Sequence, residues 1–156
     1  MPNRTIVLKG TGIRKERVGL GAITPGELVS INSSDQYIRH AVAQGNARKI
    51  FVVEDDLQGN DIDDDYITLN QVQANVMHSG EEVYAWLAIL ENVAIGAALV
   101  SAGNGQLQAY VAPVSAEGSP LYTETHDSNV IVAYALEAVD LSTSGTAKSR
   151  IEVEIA

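Results

Sequence analysis

Apolar and polar residues alternate with a period of two along much of the chain. The final segment, RIEVEIA, places Ile151, Val153 and Ile155 on one face and its two glutamates on the other. The segments NQVQANVMH, from position 70, and EEVYAWLAIL, from position 81, alternate in the same way. This period is typical of half-buried antiparallel strands, so the pattern predicts that the last strand faces a core.

Two further segments are apolar on both faces. KIFVV (49–53) and NVIVAYALEAV (129–139) are rich in β-branched and aromatic residues, which predicts strands buried on both sides. Asn104-Gly105 suits a two-residue hairpin turn, and Pro25-Gly26 suits a type II turn. Residues 112–129 have little periodicity and read as a long surface excursion. Short strands and frequent turns together predict an all-β fold, an antiparallel β-barrel or β-sandwich.

Charge divides the chain unequally. The net charge is -10, but residues 1–17 contain five basic residues and one acidic residue, a net charge of +4. The remaining residues, 18–156, carry five basic and nineteen acidic residues, a net charge of -14. The division predicts an extended basic N-terminal arm (1–17) beside a single β domain (18–156). An acidic body also argues against nucleic acid as the main partner, because phosphate binding requires clustered Lys and Arg.

The sequence offers little support for catalysis, cofactors or membrane insertion. Without cysteine the chain cannot form a disulfide or a thiolate zinc site. Its longest apolar stretch is interrupted by Glu91 and Asn92 and is too short to span a bilayer. His126, Asp127 and Ser128 are adjacent, but neighbours on an extended chain point to opposite sides, so they do not form a triad. We therefore expect no enzymatic activity, no cofactor and no membrane partner.

The densest charge lies in IFVVEDDLQGNDIDDDY (50–66). Its seven carboxylates are Glu54, Asp55, Asp56, Asp61, Asp63, Asp64 and Asp65. Their spacing partly matches a calcium loop that starts at Glu54, but position 12 is Asp65 where a bidentate Glu is needed, and a strand precedes the loop where a helix is needed. Two interpretations stay open: a solvated acidic turn, or a divalent-cation site in a small β-barrel domain that binds a ligand or carbohydrate.

Several segments occur in an order that is found in one group of virion proteins. FVVEDDLQGNDIDDDY, GEEVYAWLA, NVAIGAALVSAGNGQLQAYV, IVAYALEAVDLS and RIEVEIA cover residues 50–156. This order resembles that of the head decoration (capsid cement) proteins of tailed bacteriophages. The resemblance implies a structural protein that binds the outside of the assembled lattice of major capsid protein and stabilises it. It also implies a homo-oligomer, often a trimer, without a cofactor, which is made in the host cytoplasm and located on the capsid surface of the virion.

Under this resemblance, contacts with the capsid or a neighbouring subunit are expected from the basic arm and the acidic loop. The short apolar run 5–8 would add a strand to a neighbour, and basic residues would meet acidic groups across the contact. The acidic loop would be ordered, with Asp side chains that cap turns or meet basic groups on a neighbour. Deleting residues 2–12 should then leave the fold intact. The expected contact residues are Arg4, Ile6, Leu8, Arg14, Lys15, Arg17, Asp55, Asp56 and Asp61.

Overall fold

The computed structural model describes residues 4–112, 114–115, 122–123, 130–143, 145 and 149–156. Nearly all regular structure in this part of the chain is β, which confirms the predicted class. The strands are β1 (Val7–Lys9), β2 (Ile13–Val18), β3 (Val29–Ile31), β4 (Tyr37–Arg39), β5 (Ile50–Val52), β6 (Gln71–Val76), β7 (Glu82–Leu87), β8 (Asn92–Val93), β9 (Ala98–Gly103), β10 (Gln106–Ala109), β11 (Val114–Ser115), β12 (Tyr122–Thr123), β13 (Ile131–Ala135), β14 (Val139–Asp140) and β15 (Ser149–Ile155). A three-residue 3₁₀ helix (Asp56–Gln58) follows β5. The surface excursion predicted at 112–129 lies largely outside the described residues.

Five strands close a barrel in the order β7, β10, β9, β13, β15 and back to β7. Four of its five pairings are antiparallel. The fifth is a short parallel contact, in which Leu107 of β10 pairs with Leu87 of β7. The first half of β7 pairs on that same edge with β1. The predicted β-barrel is therefore confirmed, with β1 attached beside the parallel junction.

The inside of the barrel is built from the alternating positions of its strands. Ile151, Val153 and Ile155 of β15 are buried, as the sequence pattern predicted. Val83, Ala85 and Leu87 of β7 fill the same core, and antiparallel register places Val83 opposite Val153 and Ala85 opposite Ile151. The intervening glutamates of β15 point to the outside of the wall. The alternation of apolar and polar residues thus predicted correctly which face of β7 and of β15 is buried.

A second layer packs beside the barrel. It consists of the antiparallel sheet β2–β6–β5 and the hairpin β3–β4. The two parts are joined through isolated bridges, including that between Gly19 and Tyr37. Their buried side chains form a separate apolar core, comprising Ile23, Val29, Tyr37, Ile50, Val52, Tyr66, Val72 and Ala74. The domain therefore has two cores.

Strand β5 separates these two cores. Ile50 and Val52 point into the second core, whereas Phe51 and the following Val53 belong to the barrel core. Phe51 is fully buried, and so are the residues on either side of it. This arrangement explains why KIFVV is apolar on both faces, and it confirms that part of the sequence prediction.

The two predicted turns adopt backbone conformations that suit their residues. Asn104 and Gly105 both have positive φ, 62° and 74°, and they connect β9 to β10. Gly26 has a φ of 92°, and Glu27 N donates to Thr24 O at 3.1 Å, which closes the turn around Pro25-Gly26. A Cβ at Gly26 would lie 2.8 Å from the backbone oxygen of Tyr84, so glycine is needed there for space as well as for conformation.

A buried arginine fastens this turn to the barrel wall. Arg150 of β15 lies over the ring of Trp86, with the guanidinium carbon 4.2 Å from the ring centroid. Its Nε donates to the backbone oxygen of Pro25 at 3.3 Å, and Trp86 Nε1 donates to the same oxygen at 3.0 Å. A second guanidinium nitrogen donates to Asp63 at 2.7 Å. The outer face of Trp86 is therefore covered by the chain itself.

The expectation of an extended N-terminal arm is corrected by the pairing of its residues. β1 pairs with β7 of the same chain, and β2 pairs along its whole length with β6. Ile6 is fully buried in the barrel core, so it is not an exposed contact residue. Its amide donates to the buried carboxylate of Glu54 at 3.1 Å, and its carbonyl accepts from Tyr84 N at 2.8 Å. The apolar run 5–8 therefore packs within its own chain, because the Ile6 side chain is buried and the Ile6 backbone groups have hydrogen-bond partners there.

Replacing Ile6 with alanine should therefore destabilise the domain by about 2–4 kcal/mol, because it leaves a cavity in the barrel core. Leu8→Ala, at a half-buried position of β1, is the matched control and should cost less. Deleting residues 2–12 should lower the melting temperature strongly, in contrast to the sequence expectation. Chemical denaturation of the three variants checks this, and a deletion variant with parental stability would show that β1 is dispensable.

Candidate interaction surface

The acidic segment begins inside the protein and ends on its surface. Glu54 and Asp55 continue directly from β5 and are buried, with 6% and 5% exposure. The 3₁₀ helix then carries the chain outward and ends at Gly59, which has a left-handed φ of 78°. The acidic residues from Asp56 to Asp65 are exposed. Asp55 is thus largely buried, whereas the predicted contact residues Asp56 and Asp61 lie on the surface.

The exposed carboxylates hold the segment in one conformation. Asp61 N donates to Asp64 Oδ2 at 2.7 Å, and the hydroxyl of Thr24 donates to Asp65 Oδ1 at 2.7 Å. Asp63 accepts from Arg150 at 2.7 Å. The segment is therefore ordered by Asp side chains that accept from nearby backbone, hydroxyl and basic groups. The basic group that Asp63 meets belongs to the same chain, whereas the resemblance implied a basic group on a neighbour.

A polar cavity of about 280 Å³ lies between this segment and the start of β6. Its lining comprises Asp55, Gln58, Asn60, Asp64, Asp65, Tyr66, Asn70 and Gln71. None of these eight described residues is basic. Tyr66 is buried and donates its hydroxyl to the backbone oxygen of Val53 at 2.8 Å. Burial, together with the nearby Asp55 carboxylate, raises the pKa of Tyr66 well above its ordinary value, so its hydroxyl stays protonated at physiological pH.

The amides of this cavity were not among the predicted site residues. Gln58 and Asn60 follow the charged residues in sequence, but Asn70 and Gln71 belong to the entry of β6. They meet only because β6 pairs with β5 and so brings position 71 back beside the acidic segment. No local sequence pattern predicts that these amides lie beside the acidic segment.

A second, shallower depression is lined by residues from both the N-terminal segment and the acidic segment. It is lined by Arg4 and Thr5 from the N-terminal segment and by Asp56, Gly59, Asn60 and Asp61 from the acidic segment. Arg4, Asp56 and Asp61 were predicted as contact residues from separate parts of the sequence, and the fold places them around one depression. This depression contains charges of both signs.

The calcium interpretation of the acidic segment finds no support in side-chain placement. Among the described residues, no group of three or more His, Cys, Asp or Glu side chains is arranged to hold a metal ion. Glu54, the first position of the calcium spacing, faces the amide of Ile6, whereas Asp65, the twelfth, accepts from Thr24. The two end positions of the spacing are therefore engaged with different parts of the fold.

The basic residues of β2 differ in how firmly they are held. Arg14 and Lys15 are exposed, and neither forms an ion pair within the described residues. Arg17 donates to Asp35 at 2.6 Å and lies 5.4 Å from the ring centroid of Tyr37, so it is engaged within the chain. β2 is at the edge of its three-stranded sheet, and Ile13 at its start is 51% exposed. Arg14 and Lys15 therefore place exposed positive charge at the start of an edge strand.

Glu81 connects the turn before β2 to the turn before β7. Its Oε1 accepts from the backbone amides of Thr11 and Gly12, each at 3.0 Å, and its Oε2 accepts from His78 N at 2.7 Å. The bond from His78 N is the largest cause that lowers the pKa of Glu81 to about 2, from an ordinary value of 4.5. The carboxylate therefore stabilises the position of β2 in its charged form.

Because the folded-state pKa of Glu81 is depressed, its stabilising effect is present above pH 4.5 and is lost as the pH falls toward 2. Glu81→Gln should lower the free energy of unfolding at pH 7 by about 1–2 kcal/mol, since the carboxylate is partly exposed. The difference from the parent should disappear near pH 2. Unfolding curves of both proteins across this range check it. Asp56→Asn, whose carboxylate accepts no hydrogen bond from a described residue, serves as the control, and a pH-independent difference for Glu81→Gln would contradict the prediction.

No family model and no curated protein matches the chain. Its fold, however, is similar to that of the N base of the head fiber gp8.5 of bacteriophage phi29. The TM-score is 0.54 at 10% sequence identity, and the match covers 94% of this chain and 95% of the other. At that identity the likeness shows a common fold, which extends over almost the entire length of both chains.

No helix in the described residues is long and apolar enough to cross a membrane.

Proposed function

We propose that the chain is a structural protein of a bacteriophage virion that binds the outside of the assembled capsid and stabilises it. The observation that carries this proposal is the fold, which is similar over nearly its full length to the base of a phage head fiber. The sequence resemblance to head decoration proteins points to the same kind of particle by an independent route.

Two features of the surface support a role in lattice binding. Arg14 and Lys15 project from an edge strand, where backbone groups as well as charges are open to a partner. The acidic segment is fixed by its own hydrogen bonds, so little conformational entropy would be lost when Asp56 and Asp61 meet a partner. Each such contact is modest, and many copies on one lattice multiply their effect. The partner in this proposal is the lattice of major capsid protein.

Charge reversal on β2 tests this attachment. The double variant Arg14→Glu, Lys15→Glu should fold normally, because both side chains are exposed, and should bind assembled heads roughly tenfold more weakly at low salt. The loss should diminish as salt rises, because the Debye length shortens to about 10 Å at 0.1 M. Co-sedimentation with heads of the phage that encodes the chain measures both effects.

A matched comparison is Arg14→Glu against Arg48→Glu. Arg48 is also exposed, but it lies outside β2, just before β5. Only the β2 variant should weaken binding. Equal binding of all variants would show that β2 is not part of the surface that attaches to the head. A parent protein that does not co-sediment with heads at all would overturn the proposed function.

We further propose that the chain associates with itself, as a trimer. Exposed apolar side chains on the turns around β8, among them Leu90 and Ile95, offer surface for a neighbouring copy. Sedimentation equilibrium at micromolar concentration should give a mass about three times that of the 16.6 kDa monomer. A monomeric mass, both free and after release from heads, would contradict this.

A further inference from the structure

We propose that the outer edge of β2 receives an extended acidic segment of the major capsid protein, which adds a strand to the sheet β2–β6–β5. The inference deepens the proposed function and rests on it for the identity of the partner. It adds that the attachment is made through the backbone, with charge selecting the partner. The backbone pairing can be tested without heads, so the two proposals can fail separately.

The backbone groups of β2 alternate between those bonded to β6 and those that point away from it. The two strands pair without a register shift along the whole of β2, and just beyond it Gly19 N donates to Asn70 O at 2.9 Å. In an antiparallel pair the hydrogen-bonded residues recur at every second position. The odd-numbered residues of β2 are therefore bonded to β6, whereas the N–H and C=O groups of Arg14 and Glu16 point to the outer edge.

The pairing of β6 with β5 gives the same assignment. Val53 N donates to Gln73 O at 3.0 Å, so the odd-numbered residues of β6 turn their backbone toward β5 and the even-numbered ones toward β2. In the part of the chain that the structure describes, no other strand pairs with positions 13–17, and no hydrogen bond from elsewhere reaches the backbone of Arg14 or Glu16. This stretch is therefore open to a further strand.

The chain itself shows what fits along this edge. At the far end of β2, Leu20 N donates to Tyr37 O at 2.8 Å, which brings the start of β4 alongside. The side chain that meets β2 there is acidic, because Arg17 donates to Asp35 at 2.6 Å. An added strand would extend the same arrangement along positions 13–16.

The exposed charges of β2 select the occupant. Arg14 and Lys15 form no ion pair within the described residues, and as neighbours on a strand they point to opposite faces of the sheet. Two consecutive acidic residues in an added strand would meet both of them, for the same reason. Ile13, two positions from Lys15 and 51% exposed, suits an apolar residue beside the acids. The pattern that fits is an extended segment with two adjacent acidic residues next to an apolar one.

Charged side chains on an edge strand also prevent unwanted pairing. β2 carries three basic residues and one acidic residue, so pairing between two copies of β2 would bring together strands of like net charge. The charges that oppose self-pairing favour an acidic strand, which is how a binding edge gains specificity. A segment of a partner protein is therefore a better occupant than a second copy of β2.

The first test uses a capped hexapeptide, Thr-Val-Glu-Glu-Val-Thr, and measures backbone hydrogen exchange in β2 by NMR. In the free protein the amides of Arg14 and Glu16 should exchange fast, and the amide of Lys15 slowly, because only the last is bonded to β6. Saturating peptide should slow exchange at Arg14 and Glu16 by about tenfold or more, since new backbone hydrogen bonds form there. Exchange at Lys15 should change much less.

Two control peptides separate backbone pairing from charge. Thr-Val-Lys-Lys-Val-Thr reverses the charge, and the glutamate peptide N-methylated at both glutamates keeps the charge but cannot pair along either edge. Neither should protect Arg14 or Glu16. Equal protection by the glutamate peptide and either control, or no saturable protection by the glutamate peptide, would overturn the assignment of the edge to an acidic strand.

The source of the strand is tested on assembled heads with Glu16→Pro. Proline removes an N–H that points to the outer edge, so pairing with β6 is kept. The variant also makes β2 more positive, so attachment by charge alone would be as strong as in the parent or stronger. Strand addition instead predicts roughly tenfold weaker co-sedimentation with heads, because a backbone hydrogen bond is lost. The matched control Glu16→Thr makes the same change of charge, keeps the N–H and should bind at least as well as the parent.

Two results with heads would overturn the assignment to the capsid protein. One is equal binding of Glu16→Pro and Glu16→Thr. The other is a lower sedimentation mass of free Glu16→Pro than of Glu16→Thr, which would assign the edge to a second copy. If Glu16→Pro does not fold, competition decides: the glutamate peptide should displace the parent from heads, and its N-methylated form should not. If the parent does not bind heads, the proposed function fails and with it the assignment to the capsid protein, whereas the exchange experiment still decides whether the edge takes an acidic strand.

Discussion

The structure depends on the burial of one short strand on both of its faces. Each residue of β5 is committed to one of two cores, Phe51 to the barrel and Ile50 and Val52 to the second layer. A shift of the strand by one residue would exchange these sets and place the large Phe51 ring in the wrong core. The same division continues at Leu28 and Val29, which point into different cores. The register of β5 therefore fixes the position of the barrel relative to the second layer.

This constraint also positions the acidic segment. Because Glu54 and Asp55 continue directly from β5, the fold carries two carboxylates into the interior, where each needs a partner. Glu54 finds the amide of Ile6, and this bond fastens β1 to the barrel. Asp55 Oδ1 accepts from Gln73 Nε2 of β6. The stability of the N-terminal segment and the polarity of the cavity thus both follow from the end of the same strand.

The surface that results separates charge by position in the fold. Within the part of the chain that the structure describes, Arg14 and Lys15 at the start of the edge strand β2 form no ion pair, and the densest negative charge lies on the segment that follows β5. Glu81 accepts hydrogen bonds from the turn before β2, and Arg150 donates to Pro25 and to Asp63 of the acidic segment. The proposed attachment to an ordered lattice would use the basic start of β2 and the acidic segment, which also borders Arg4. In such attachment the orientation of each copy matters more than the strength of one contact.

The sequence by itself determined the class of fold, the core face of β7 and β15, the double burial of KIFVV and the turns at Pro25-Gly26 and Asn104-Gly105. These features are local, because strand periodicity and the φ requirements of turn residues are set within a few positions. Only the tertiary structure decided that Ile6 is a core residue, that Asp55 is buried, and that Asn70 and Gln71 face the acidic segment. Each of these depends on pairing between distant parts of the chain, as between β1 and β7 or β5 and β6. Charge and composition are the same whether such a segment is free or paired, so they could not distinguish an extended arm from two strands of the fold.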